Sequence, residues 1–250
     1  MWIEVYFTSG GIAPNELAGR HVLVVDLLRA STTIAVALAA GPKEVLPAGS
    51  TEEALRIAQN LERDQVVLAG ERKSVRIEGF ALGNSPLEFT PEAVGGKTVV
   101  LTTTNGTTTL LAAQGAKAVA VAAAVNFTVA VEHARAALEA TGDVVILCSG
   151  HDRRFAIEDA FAAGRIAKVL LPEGGLRRVE VNDGALAALE IARHFGDKWL
   201  RALRASSHGR ELAHLGFAED LKVCGTQDTH PVLPLYADRR ITAHRSPQEG

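Results

Sequence analysis

Residues 21–48 read "HVLVVDLLRASTTIAVALAAGPKEVLPA", and the order of signals in this stretch decides the fold. The run 21–28 does not alternate apolar with polar, so it predicts a strand buried on both faces. The stretch 31–40 predicts a helix closed by Gly41, and "EVLPA" predicts the next strand. Strand, polar turn, helix and strand make a βαβ unit, which belongs to parallel sheets. Residues 99–119, "VVLTTTNGTTTLLAAQGAKAV", repeat the same order, down to a Gly-x-Lys-x-Val lead into the following strand. The repetitive grammar of βαβ units or a duplicated half would both account for this echo.

Outward from these two stretches the alternation continues. Ser50, with Glu53 at the capping-box position, opens a helix over 50–62. Strands are expected at 65–71, 97–104, 117–125 and 143–149, and helices at 106–114, 128–141 and 156–171. The sum is an α/β fold: a three-layer α/β/α sandwich with a mostly parallel or mixed central sheet. From about residue 183 the strand signals fade. This part is expected to be a mainly helical cap with turns and one edge strand, within a single domain over 1–250. Between 72 and 90 lies a long irregular segment whose Phe80, Leu82, Leu87 and Phe89 predict an ordered pocket wall.

The chain has 250 residues, 47% hydrophobic and 22% charged, with a net charge of −3. That balance offers no electrostatic ground for nucleic acid or an anionic membrane as partner. Two distant cysteines, Cys148 and Cys224, form no CxxC pair, so free thiols and a cytoplasmic setting are expected. No stretch is long and apolar enough for a membrane span. The signatures GxxxxGK[ST], GxGxxG after the first strand and GxSxG are all missing, which argues against a P-loop nucleotide hydrolase, a dinucleotide binder and a nucleophile-elbow hydrolase.

Several polar groups sit where strands give way to helices, the end of an α/β sheet at which ligands bind. Asp26 ends one apolar strand and Glu71 another; a carboxylate there is costly unless it binds something. Arg29 lies on the turn after Asp26, as an anion ligand or as a structural partner of Asp26. In "LTTTNGTTTL" (101–110) an Asn-Gly hairpin is one reading. Strand-turn-helix is the better one, because "LLAAQG" follows. Thr104, Asn105, Gly106 and Thr107 would then face an anion. Cys148 and Arg154 form C-x5-R between a strand and a helix, the layout of cysteine-dependent phosphatases, so Cys148 is an alternative nucleophile. Glu158 and Asp159 open the next helix, as dipole partners or as metal ligands. His208 in "SSHGREL" is a candidate proton donor, with Asp228 and His230 as further pocket candidates.

Five runs taken together, "VVDLLRASTTI", "GERKSVRIEGFALGNSPLEF", "LTTTNGTTTL", "CSGHDRRFAIEDAFAAGRI" and "SSHGRELAHLGFAEDLKVC", resemble the 2-phosphosulfolactate phosphatase (ComB) family from about residue 4 to 241. The resemblance implies a ComB-like three-layer fold and a magnesium-dependent hydrolase of a small phosphorylated sulfonate or carboxylate. The implied reaction turns 2-phosphosulfolactate into sulfolactate and phosphate, a step toward coenzyme M. It implies Mg²⁺ held by some of Asp26, Glu71, Glu158 and Asp159, and a phosphate cradle of Arg29, Thr104, Asn105, Gly106 and Thr107, with Asn84 nearby. Arg154 or Arg72 would meet the second anionic end, and His208 would protonate the leaving oxygen. The chain could also pair into a homodimer. It departs from the family at Lys73 and Ser74, where glycines are usual, and at His151, Asp152 and Arg153, where small residues are; both places border the expected pocket.

Overall fold

The computed structural model describes residues 1–13 and 15–244. In chain order the elements are β1 (Trp2–Tyr6), β2 (His21–Val25), α1 (Ala30–Ala39), β3 (Glu44–Pro47), α2 (Thr51–Gln59), β4 (Val66–Arg72), β5 (Val75–Arg76), α3 (Pro91–Val94), β6 (Thr98–Thr102), α4 (Gly106–Ala112) and β7 (Ala118–Ala122). There follow α5 (Phe127–Thr141), β8 (Asp143–Cys148), α6 (Ile157–Leu170), β9 (Glu180–Val181), α7 (Asp183–Phe195), α8 (Trp199–Ala205), α9 (Ser207–His214), α10 (Ala218–Cys224), β10 (Pro234–Ala237) and β11 (Arg240–Ala243). The expected βα alternation is present, and Ser50 caps α2 by accepting the Glu53 N–H.

One mixed sheet of 11 strands runs β5-β4-β6-β3-β11-β10-β7-β2-β8-β1-β9. Strands β4, β6 and β3 are mutually parallel, as are β7, β2, β8, β1 and β9. Between the two halves the antiparallel hairpin β10–β11 pairs with β7 on one side and β3 on the other. Sequence reading placed one edge strand in this region; the structure instead puts a hairpin at the centre of the sheet. The region after residue 183 is therefore helical only in part.

Side-chain alternation divides the strands between cores. Leu23, Val25, Val144 and Ile146 face α5, α6 and α7, while Val22, Val24, Val145 and Leu147 face α1 and α4. Val45, Val99 and Leu101 of the other half join that second core, and Val100 turns outward to a smaller one under α2. The architecture is a three-layer α/β/α sandwich whose sheet curls around α1. Accordingly α1 touches β3, β7, β10 and β11, and every residue from Ala30 to Leu38 is buried. This curl lets the carboxyl ends of β2, β4 and β6 meet although the two halves run in opposite senses. Among the described residues no helix is long and apolar enough to cross a membrane.

Candidate active site

A cavity of about 250 Å³ opens where those strand ends converge, lined by Asp26, Leu28, Arg29, Glu71, Lys73, Ser74, Asn84, Thr103, Thr104, Asn105, His151, Asp152, His208 and Glu211. Asp26 stands one residue past β2. Its Oδ1 accepts the Ala30 N–H at 3.1 Å, and burial pushes its carboxyl up to about 6, against the opposing pull of His208. The first residue of α4 presses on it. A Cβ on Gly106 would lie 2.4 Å from the Ala30 Cβ and 2.8 Å from Asp26 Oδ2, so only glycine lets the "TNG" turn close here.

Glu71, near the end of β4, holds two loops. It accepts the Thr104 N–H at 2.7 Å and the Ser74 N–H at 2.8 Å, with the Thr104 hydroxyl at 3.2 Å. Strands β4 and β5 form a tight hairpin with Lys73 and Ser74 as its two turn residues, at φ 51° and 65°. A second turn of this kind, at Asp152 and Arg153 with φ 50° and 60°, closes the His151–Arg154 bridge on the cavity's other flank. Both turns use a conformation that favours Asn and Gly, so each stores backbone strain at the cavity rim.

Arg29 is not free to grip a ligand. Its Nη1 pairs with Asp220 at 2.7 Å, its Nη2 donates to the Ser74 carbonyl at 2.8 Å, and its plane lies 4.4 Å from the Phe217 ring centroid. Both members of the ion pair are only 2% exposed. The second Asp220 oxygen accepts the Ser85 hydroxyl at 2.7 Å. Arg29 thus ties the β2–α1 turn to α10 and to the wall segment, and the structural pair with Asp26 does not form.

His208 is nearly buried, with Nδ1 3.6 Å from Glu158 Oε1 and Nε2 3.4 Å from the Ser74 hydroxyl. Its ring stacks on His151 at 4.0 Å, and His151 in turn faces Glu211 at 3.3 Å. Of the four carboxylates among which metal ligands were expected, two face the cavity. Asp26 and Glu71 line the cavity, Glu158 turns to His208, and Asp159 accepts the Leu27 and Gly150 N–H groups at 2.8 and 3.0 Å. Burial, with Asp26 and Glu158 close by, holds the Asp159 carboxyl well above the usual range. Among the described residues no three His, Cys, Asp or Glu side chains form a ready-made metal cage.

Other expected residues lie elsewhere. Thr107 exchanges hydrogen bonds with Thr103, backbone and side chain, and so stiffens the turn without reaching the cavity. Arg72 donates to the Glu71 carbonyl and to the Thr102 hydroxyl. Arg154 lines a neighbouring cavity beyond the stacked histidines, with Phe155, Glu158 and Ser207. Asp228 caps α5 through Thr128, and neither it nor His230 lines the site. The cysteine alternative fails on physical grounds: Cys148 is wholly buried in the α5–α7 core, and burial, reinforced by Asp159 and Glu158, pushes its thiol well above the ordinary range. Asp220 and Glu211 were not anticipated. In "FAEDLKVC" nothing distinguishes Asp220 from a solvated helix charge, because its partner lies 191 residues away.

Asn84 lines the cavity, and its buried Oδ1 has no partner among the described residues, so an amide oxygen is available to a ligand. The wall carries four carboxyl side chains against Lys73 and an Arg29 already neutralised by Asp220. A polar, acidic cavity with an open amide oxygen suits a cation and the anion it brings.

The model of the 2-phosphosulpholactate phosphatase family matches residues 6–239. A "Probable 2-phosphosulfolactate phosphatase" of Symbiobacterium thermophilum is 42% identical over 91% of this chain and 95% of its own length. Proteins of the same name from Deinococcus radiodurans and Caldanaerobacter subterraneus are 43% and 37% identical, over 85% and 94% of this chain and 85% and 95% of their own lengths. With its strand-end cavity in place and this match over nearly its whole length, the chain belongs to the 2-phosphosulpholactate phosphatase family.

Proposed function

We propose that this chain is a magnesium-dependent phosphomonoester hydrolase that converts 2-phosphosulfolactate to sulfolactate and phosphate, a step toward coenzyme M. The observation that carries the reading is the meeting of Asp26, Glu71, the unpartnered Asn84 Oδ1 and His208 in one cavity at the strand ends. The donor set fits Mg²⁺, which takes hard oxygen ligands and usually keeps several waters, so one or two carboxylates suffice. Asp26 and Glu71, which line the cavity, would hold it, with Asn84 Oδ1 beside them; Glu158 and Asp159 do not line it. Bound there, Mg²⁺ supplies positive charge to the phosphoryl oxygens and offsets the acidity of the wall.

The protein's own groups do the rest. Glu71 fixes the Thr104 backbone, which sets the Thr104–Gly106 turn against Asp26. Asn105 makes no capping bond with its side chain, leaving its amide to contact a phosphoryl oxygen. Glu158 lies 3.6 Å from His208 Nδ1 as a counter-charge to the protonated ring, and His208, with Nε2 facing the Ser74 hydroxyl, would give a proton to the leaving alkoxide.

Phosphate release from racemic 2-phosphosulfolactate, with Mg²⁺ and with EDTA, tests the reading. Metal-dependent release is expected, and Asp26→Ala or Glu71→Ala should abolish it in a folded protein. No release, or equal release in EDTA, would overturn it.

A further inference from the structure

We propose that Lys73, which stands where the family resemblance leads one to expect glycine, strengthens this site's preference for substrates with a second anionic group, a sulfonate or carboxylate, beside the phosphate ester. The inference rests on the phosphatase reading above and adds the residue that would select the substrate.

The other cations are engaged or misplaced. Both terminal nitrogens of Arg29 are bound, to Asp220 and to the Ser74 carbonyl. Those of Arg72 are bound to the Glu71 carbonyl and to Thr102. Arg154 lines a different cavity, on the far side of the His151–His208 stack. Arg153 lines a third, beside Thr104, Asn105 and Ser149. Two substituents on adjacent carbons of a small acid share one cavity, so the cation that lines the same cavity as the carboxylates is the one best placed for the second anion. Lys73 lines the same cavity as Asp26 and Glu71 and forms no ion pair among the described residues. Its backbone is also fixed. The next residue's N–H is held by Glu71 Oε2 at 2.8 Å, so the group that anchors the phosphate side of the cavity fixes the start of the lysine side chain. An ammonium on a flexible stem suits a trigonal sulfonate or a planar carboxylate alike, being a point charge without a preferred plane.

The test compares kcat/KM for 2-phosphosulfolactate with that for glycerol 2-phosphate, which lacks both the carboxylate and the sulfonate. The ratio of the two is measured in the wild-type chain and in Lys73→Gly, Lys73→Arg and Arg154→Ala. Glycine removes the charge and relaxes the φ of 51°, so a folding defect would not explain its effect. Loss of one charge-assisted contact should lower the ratio about tenfold or more in Lys73→Gly. It should persist in Lys73→Arg and in Arg154→Ala. An unchanged ratio in Lys73→Gly, or a fall in Arg154→Ala instead, would overturn the assignment. If the wild-type chain releases phosphate from neither ester, the phosphatase reading fails. Titration calorimetry with sulfolactate then decides on Lys73: tighter binding to wild type than to Lys73→Gly supports it, while equal or no binding overturns it.

Discussion

Replacing Asp220 with Ala tests whether Arg29 is a tether or a ligand-binding arm. In the native fold the guanidinium meets the carboxylate at 2.7 Å with both side chains 2% exposed, and Ser85 donates to the second oxygen. The substitution leaves a full charge buried without its partner and orphans the Ser85 hydroxyl. Breaking a buried pair from one side costs about 3–5 kcal/mol. The orphaned hydroxyl adds about 1 kcal/mol. Each kcal/mol lowers Tm by about 2–4 °C in a chain of this size, so a fall of roughly 8–24 °C is expected. Thermal unfolding followed by circular dichroism measures it. The double variant Arg29→Met/Asp220→Leu removes both charges and should recover most of the loss, since a buried pair is readily replaced by apolar side chains. A fall below about 3 °C in Asp220→Ala, together with a raised KM, would refute the reasoning: Arg29 would then be a substrate arm that Asp220 merely accompanies.

Gly106→Ala drives a methyl into Ala30 and Asp26, forcing the "TNG" turn off its position. Since a misplacement of about 1 Å can cost on the order of 100-fold in rate, kcat/KM should drop by about that factor; wild-type turnover would show that the turn does not position the reaction. Cys148→Ala should keep kcat/KM within about threefold and iodoacetamide should leave the wild type active, because a buried thiol far above its usual pKa is no nucleophile; abolished turnover would restore the cysteine route. Burial, with His21 and His244 nearby, lowers the pKa of His133, so the unfolded chain holds a proton that the folded chain has released. Stability should therefore fall as pH drops from about 6.5 through the lowered folded value. His133→Gln should flatten that fall in Tm between pH 7.5 and 5.5, and an unchanged slope would refute the assignment.

The local grammar of the fold is written plainly in the chain. Unbroken apolar runs such as 22–25 and 144–148 read as strands covered on both faces, and the Ala-rich stretches between them must cover those faces. That Asp26 and Glu71 would line one cavity was also legible, because both end apolar strands where an unused carboxylate would be costly. Pairings across long separations were not legible. Arg29 reads as an anion ligand until Asp220 is brought against it, and the β10–β11 hairpin shows too few residues to reveal that it lies mid-sheet. Arg154 lines a cavity next to the one expected for it, and Lys73 lines the expected one. Lys73 opens a two-residue turn with positive φ and Arg154 follows another, neither announced by an Asn-Gly pair, and such a turn decides which cavity a side chain enters.

The central position of β10–β11 bears on how the protein is made. During synthesis β3 and β7 emerge well before residues 234–243, so each half of the sheet waits with an open edge facing the other. Two unpaired edges in one nascent chain can join in the wrong register or recruit a neighbouring chain. Association is arrested only when the hairpin slots between them, so a ribosome that stalls before residue 234 releases a chain with two adhesive edges and no keystone.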